Sequence, residues 1–212
     1  EAQTAERLEQ YRESERKRLL SQAELRALQA QIHPHFLFNA LNTLYGIIPK
    51  EAAGARRTVL NLADIFRYFL RGERQTIALD QELEIVRAYL EIESLRLGPK
   101  LNIEFFIDPE SKRATIPVLS IQPLVENAVK HGIAPQPQGG TVRIRSSIQD
   151  GRLCLCVEDT GPGFTQTSAA GAGVGLDNVR QRLQLRYGPE AKLEIKRESG
   201  ETHVGFRAPL SW

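Results

Sequence analysis

A chain of 212 residues, 25% charged and 41% hydrophobic with a net charge of +2, has the balance of an ordinary soluble globular protein. That balance excludes a disordered tail and gives no electrostatic footprint for direct nucleic-acid binding, and the length suits one large domain or two small ones. The longest apolar runs fall far short of the roughly 20 residues that cross a bilayer, and no charged and apolar leader opens the chain.

The chain starts at Glu1 and contains no Met, so an upstream region missing from this sequence is expected. Residues 1–18 are dominated by charge, lack Gly and Pro, and place Glu13 and Lys17 for an i,i+4 pair, which predicts an exposed helix. From Leu25 the apolar positions Leu28 and Ile32 follow at steps of three and four, and the same steps land on His35, Asn39 and Asn42. A second stripe runs through Leu37, Leu41, Leu44 and Ile48. The change of stripe predicts a kink near Pro34, which removes one helical hydrogen bond and crowds the preceding turn. Val59, Leu62, Phe66 and Phe69 predict a further helix ending near Gly72. Two such helices form an antiparallel hairpin that cannot cover its own apolar stripes, so a homodimer with a four-helix bundle is expected. Leu83, Val86, Tyr89, Leu90 and Ile92 predict another helix, closed by Gly98 and Pro99.

At Leu101 the texture changes to short β-prone runs, at residues 101–107, 141–148, 153–158, 193–197 and 204–208, with helical patterns at 119–131 and 176–187. The expected fold is α+β: a helical hairpin followed by an α/β sandwich. Three segments result: 1–24 as a signalling helix or linker, 25–98 as the helical domain and 99–212 as the sandwich. Cys154 and Cys156 share one face of a strand and read as small buried residues in a reducing compartment. A metal site at this pair is the minor alternative, since no ligand-spaced His or Cys lies nearby in sequence.

Four constellations can carry chemistry. In His-Pro-His-Phe-Leu-Phe-Asn at 33–39, His35 and Asn39 lie one helical turn apart and share a face. Neutral imidazole has a lone pair near pH 7 and can attack phosphorus without a separate strong base. A histidine satisfied at a helix interface, or a two-histidine metal site, is the plainer alternative. In Ile-Gln-Pro-Leu-Val-Glu-Asn-Ala-Val-Lys-His-Gly at 121–132, a regular helix puts Asn127, Lys130 and His131 on one face. An Asn oxygen suits Mg²⁺ and Lys130 suits phosphate, although a solvated helix face gives the same pattern.

Asp159-Thr-Gly-Pro-Gly-Phe164 follows a strand. A carboxylate there can accept a hydrogen bond from the adenine amino group, while Gly161 and Gly163 let the backbone pass close to the base. Guanine would oppose that carboxylate with a carbonyl oxygen, so the site should prefer ATP to GTP. Gly171-Ala-Gly-Val-Gly-Leu176 reads as a flexible glycine loop ending at a helix N-terminus, with amides free for phosphates. It is neither the dinucleotide fingerprint nor a P-loop. Each segment is weak by itself; their order along the chain is the specific feature.

That order, with Gln-Ile-His-Pro-His-Phe-Leu-Phe-Asn at 31–39, Leu-Asp-Gln-Glu-Leu at 79–83 and the tract 122–132, resembles the sensor histidine kinases of the LytS-like branch, over nearly the whole chain. The resemblance implies a dimerisation and phosphotransfer hairpin followed by a Bergerat-type ATP-binding sandwich, as in gyrase-like and Hsp90-like ATPases. It implies His35 as phosphoacceptor, Asn127 as Mg²⁺ ligand and Asp159 as the reader of adenine. Gly161, Gly163, Gly171, Gly173, Gly175 and Leu176 are expected at the nucleotide, with Lys130 and His131 nearby and residues 165–172 as a mobile lid. A response regulator would receive the phosphoryl group on an Asp. A membrane-attached parent, with this chain on its cytoplasmic side, is expected from the same resemblance.

Two departures stand out. Phe36 follows His35 where many histidine kinases have an acid, which leaves the partner of the second ring nitrogen open; Asn39 shares the face, and Glu126 is a guess. Pro123 stands where ATPases of this fold have the carboxylate that activates water, favouring transfer to His35 over hydrolysis. Two rivals remain at this point: a nucleotide-binding ATPase or pseudokinase whose hairpin only dimerises, and a helical scaffold in which His33 and His35 bind metal.

Overall fold

Side chains that alternate between apolar and polar need one covered face and one wet face. In the computed structural model, which describes residues 34–70, 75–163 and 169–212, the chain falls into two compact units, Glu1–Ala63 and Asp64–Trp212. The expected helices over 1–18 and 25–32 and the kink before Pro34 lie outside the described residues.

In the first unit, helix α1 spans Pro34–Ile47 and a short turn leads into α2, Ala53–Leu70, whose last residues belong to the second unit. Arg56 closes the turn. Its guanidinium donates to the Tyr45 and Ile48 carbonyls at 3.1 and 3.0 Å and stacks 3.8 Å from the Tyr45 ring, satisfying oxygens left over at the helix end. Of the expected stripe, Leu41 is buried, Leu37 and Ile48 half-buried and Leu44 exposed, and outside it Phe36, Ile47 and Leu60 are exposed as well.

The second unit is a sandwich. Strand β1 (Thr76–Ala78) is followed by helix α3 (Leu79–Leu97), β2 (Leu101–Ile107), β3 (Thr115–Pro117), helix α4 (Gln122–Asn127), β4 (Gly140–Gln149), β5 (Arg152–Asp159), helix α5 (Ala169–Tyr187), β6 (Lys192–Glu198) and β7 (Glu201–Pro209). One mixed sheet has the order β2-β4-β5-β7-β6, with β2 parallel to β4 and the other pairs antiparallel; β1 and β3 form a separate antiparallel ribbon. The β4–β5 and β6–β7 hairpins turn at Asp150-Gly151 and Ser199-Gly200, with positive φ at all four residues, as a tight primed turn demands.

Leu101, Val142, Ile144, Leu153, Leu155, Val157, Val204, Phe206 and Ala208 line the covered face of the sheet. Against them pack Leu79, Leu83, Val86 and Leu90 of α3, Leu124 and Val125 of α4, and Leu176, Val179 and Leu183 of α5. Full burial of each such leucine or valine stabilises by about 1.5–3 kcal/mol. The other face is wet and charged: Arg143 bridges Glu104 and Glu201, both at 2.8 Å, and Arg145 pairs with Glu158 at 2.9 Å.

Several details depart from the sequence expectations. Helix α3, grouped by sequence with the helical first half, packs its Leu79, Leu83, Val86, Leu90 stripe into the core of the second unit. Cys154 and Cys156 are half-buried on the wet face rather than buried, because Leu153, Leu155 and Val157 take the covered face. Folding also brings His203 and Glu158 beside Cys156, with their ligand atoms within 4.8 Å of one another, which sequence spacing could not reveal. The glycine segment at 171–176 is not a loop: its backbone forms the opening turns of α5. Residues 165–168 of the expected lid lie outside the described residues, and 169–172 are helical.

Candidate functional site

Helix α4 is short because it changes form. After Asn127 it widens into a π turn over Ala128–Ile133, and the Ala134 N–H donates to the Val129 carbonyl at 2.8 Å, an i to i+5 bond. Such bulges are frequent at functional sites. Across this segment Asn127 is 9% exposed, His131 half-buried and Lys130 exposed.

Asn127 Oδ1 is buried and has no hydrogen-bond partner among the described residues. A buried amide oxygen without a donor costs about 1–3 kcal/mol. It is also an oxygen donor suited to a hard cation, so the residue fits the expected Mg²⁺ ligand.

The far end of the same segment wraps Asp159, at the end of β5. A Cβ added to Gly132 would lie 2.4 Å from Asp159 Oδ1, and one added to Gly161 would lie 2.4 Å from the Gly132 Cα and 2.5 Å from Asp159 Oδ1. Both positions therefore require glycine. The Gly161 N–H donates to Asp159 Oδ1 at 2.9 Å, and Gln136 Nε2 fastens the Gly132 and Thr160 carbonyls at 3.0 and 3.2 Å. Asp159 is 3% exposed, and burial pushes its pKa up to about 6; the Gly161 amide, then Arg197 and His203, pull it back down, and Glu201 raises it. The carboxylate is thus largely ionised at pH 7 and able to accept a hydrogen bond from a ligand amine.

Thr202 lies opposite Asp159 in the β5–β7 register, with Oγ1 buried and without a partner among the described residues. Sequence reasoning missed it, and also missed Gly132 as part of the Asp159 cradle. Neither carries a local signal, since both matter through residues distant in the chain. Gly163 has φ +85°, and a Cβ there would collide with the Arg197 guanidinium.

At α5, a Cβ on Gly175 would meet Pro123 of α4 at an ordinary 3.7 Å. Leu176, expected at the nucleotide, is buried in the core cluster with Val179 and Leu183, at steps of three and four along the helix. Gly171 and Gly173 lie on the helical backbone of the opening turns. Glu126 is exposed and accepts a hydrogen bond from Gln122 Nε2 at 2.8 Å.

In the first unit, His35 is exposed on α1. The Asn39 amide nitrogen lies 3.3 Å from its Nδ1 and 3.4 Å from its Nε2, so it can donate to whichever ring nitrogen carries the lone pair. That long and weak bond engages the lone pair, so it does not supply the acceptor that the N–H of the second ring nitrogen needs. His33 lies outside the described residues.

Comparison with known proteins adds the family. The histidine kinase family model matches residues 23–101, and the model for histidine kinase-, DNA gyrase B- and HSP90-like ATPases matches residues 116–211. Sensor protein LytS of Enterococcus faecalis is 35% identical over 206 residues, which cover 91% of this chain and 35% of that protein. Sensor histidine kinase BtsS of Escherichia coli is 34% identical over 194 residues, covering 91% of this chain and 34% of that protein. The chain spans about a third of the length of these curated relatives. Among solved structures, the histidine kinase domain of the Erythrobacter litoralis EL346 blue-light activated histidine kinase shares the fold, with a TM-score of 0.53 and 22% identity over 83% of this chain and 96% of that one.

Proposed function

We propose, for a chain that belongs to the LytS-like sensor histidine kinases, that it binds ATP with Mg²⁺ in its second unit and transfers the γ-phosphoryl group to His35. The observation that carries this reading is the segment from α4 through the π turn. One part of it offers the partnerless buried oxygen of Asn127, and its end, Gly132, encloses the carboxylate of Asp159.

In this reading Asp159 accepts a hydrogen bond from the adenine amino group, and Gly132 and Gly161 bring the backbone close enough to enclose the base. Thr202, with a free buried hydroxyl beside Asp159, supplies a second polar contact to the base. Asn127 Oδ1 holds Mg²⁺, which when bound neutralises charge on the substrate phosphates. Lys130 and His131 follow Asn127 toward the phosphates. Gly171, Gly173 and Gly175 give up helical amides to the phosphates if the opening of α5 unwinds.

His35 attacks the γ-phosphorus in line through the ring nitrogen that bears its lone pair. The Asn39 amide must release that lone pair before attack, and in the closed state the Glu126 carboxylate accepts the N–H of the other ring nitrogen and orients the imidazole. Because this chemistry asks for little beyond positioning and charge stabilisation, most of the rate comes from approach geometry. Pro123 in place of a water-activating acid disfavours hydrolysis.

The wider assignments belong to the same proposal. A second copy of the chain covers the exposed Phe36, Leu44, Ile47 and Leu60, giving a homodimeric four-helix bundle. A response-regulator receiver domain takes the phosphoryl group from His35 onto an Asp, and an upstream sensor region places this part on the cytoplasmic side of a membrane. Among the described residues no helix is long and apolar enough to cross one.

The test is incubation with γ-labelled ATP and Mg²⁺. Acid-labile, alkali-stable label on the wild type, lost in Asn127→Ala and in Asp159→Asn, supports the reading. Phosphate release without labelled protein favours the ATPase alternative and overturns it.

A further inference from the structure

Glu82 is a carboxylate with no exposed surface at all, set in the first turn of α3. An acid in that position commonly faces water and the amides of its own helix. Here it reaches another helix: the backbone N–H groups of Ile121 and Gln122, at the start of α4, donate to its Oε1 at 2.6 and 3.3 Å. Its other oxygen, Oε2, is buried without a hydrogen-bond partner among the described residues.

The turn that Glu82 grips, residues 118–122, is held from three sides. Arg182 of α5 donates to the Val118 and Leu119 carbonyls at 3.2 and 3.1 Å, and the hydroxyl of Tyr68, at the end of α2, accepts the Leu119 N–H at 3.4 Å. Leu119 takes φ +58°, a left-handed conformation that a bulky side chain adopts only when its surroundings enforce it. Ser120 Oγ closes the turn on the Pro117 carbonyl at 2.7 Å. A turn held in a strained shape by groups from three helices, directly before the helix that carries Asn127, has more restraint than connecting β3 to α4 requires.

We propose that Glu82 is a positioning residue of the metal–nucleotide site: it anchors the N-terminus of α4, and so fixes where Asn127 presents its carbonyl oxygen. The inference rests on the reading of Asn127 as the Mg²⁺ ligand. Asn127 lies five positions after Gln122 on the same helix, so a shift or rotation of the α4 N-terminus is carried along a rigid short helix to the amide. Glu82 touches neither nucleotide nor metal. Its surroundings also make it sensitive to pH: burial raises its pKa to about 7, while the Ile121, Gln122 and Ser120 amides and the Arg182 guanidinium favour the ionised form. Tyr68 faces it as a neutral phenol whose own ionisation is pushed up by burial and by Glu82. The ionised carboxylate binds the two amides more strongly than the neutral acid does.

The experiment measures ATP affinity by calorimetry with Mg²⁺ and again with the metal chelated, for wild type, Glu82→Ala and Glu82→Gln of this chain at pH 6 and pH 8. For Glu82→Ala the expected result is a loss of roughly 10- to 100-fold in the Mg²⁺-dependent gain, as for other groups that orient a metal ligand, with metal-free affinity unchanged. Glu82→Gln keeps an acceptor for the two amides and restores most of the gain, but its gain does not rise between pH 6 and pH 8 beyond the nucleotide's own titration, whereas that of the wild type does. An unchanged gain in Glu82→Ala, or an equal loss with and without Mg²⁺, overturns the inference and leaves the nucleotide site standing. Should Glu82→Ala fail to fold, Glu82→Gln decides: a pH response identical to that of the wild type overturns the positioning role. No ATP binding by the wild type overturns the reading of the site itself.

Discussion

As the proposed reader of adenine, Asp159 meets two opposed demands: a carboxylate must be enclosed tightly enough to read a base, yet remain charged. Enclosure by Gly132 and Gly161 pushes its pKa up to about 6, and the Gly161 amide limits the rise. If the ionised form accepts the adenine amine as proposed, ATP affinity should rise as pH increases through about 6 and level off above 7. Asp159→Asn should flatten that profile, weaken ATP roughly 10- to 100-fold, the worth of a hydrogen bond to a charged group, and reduce the preference for ATP over GTP. Calorimetric titrations at pH 5, 6 and 7 check this. Glu82 gives a second, purely thermodynamic signature. Its folded pKa is raised from 4.5 to about 7, so its contribution to stability is fully present below 4.5 and is lost as pH rises through about 7. Urea unfolding at pH 5 and pH 8 should show the wild type losing about 3 kcal/mol relative to Glu82→Gln, since other titrating groups cancel between the two proteins. Equal losses in both proteins would contradict the assignment. The proposed site residues His35, Asn127 and Asp159 stand out in the sequence because each lies in a local motif. Glu82 does not: its partners are 39 and 40 residues away, and among nearby acids nothing marks it as the buried one.

At the scale of elements, the five strands of the main sheet could be read from alternation, since each runs long enough to show it. The three-residue strands β1 and β3 could not, because three residues carry no period. The π turn was equally hidden: the residues after Asn127 fit a regular helix as well as a widened one, and what distinguishes them is the fit of Gly132 against Asp159. Gly132→Ala should therefore force the two elements apart, cost about 1–3 kcal/mol in thermal unfolding and sharply weaken ATP. The glycines before Leu176 suggested a loop, yet they form helix, since Ala169, Ala170 and Ala172 favour it and Leu176, Val179 and Leu183 anchor it. Gly175→Ala meets Pro123 at an unstrained 3.7 Å, so it should raise thermal stability by up to about 1 kcal/mol. If the opening of α5 unwinds to free amides for phosphate, the same variant should weaken ATP; unchanged affinity would mean that the helix binds as it stands.

On the scale of the whole molecule, the residues proposed for the chemistry fall in two units: His35 in Glu1–Ala63, and Asn127 and Asp159 in Asp64–Trp212. Phe36 at 75% and Ile47 at 71% exposure, with Leu44 and Leu60, form more apolar surface on α1 and α2 than a helix pair keeps in water. Leu44→Glu with Ile47→Glu should turn a dimer into a monomer by sedimentation, while ATP binding stays. The division into a helical half and a sandwich was legible from the change of period at Leu101, but the side on which α3 packs was not, because its stripe suits a bundle and a sheet equally well. The most direct measurement maps the phosphoryl group by mass spectrometry of the peptide spanning residues 33–39, after incubation with ATP and Mg²⁺. The account predicts modification of His35, lost in His35→Gln and retained in His33→Gln. Modification confined to His33, or retained in His35→Gln, would contradict it.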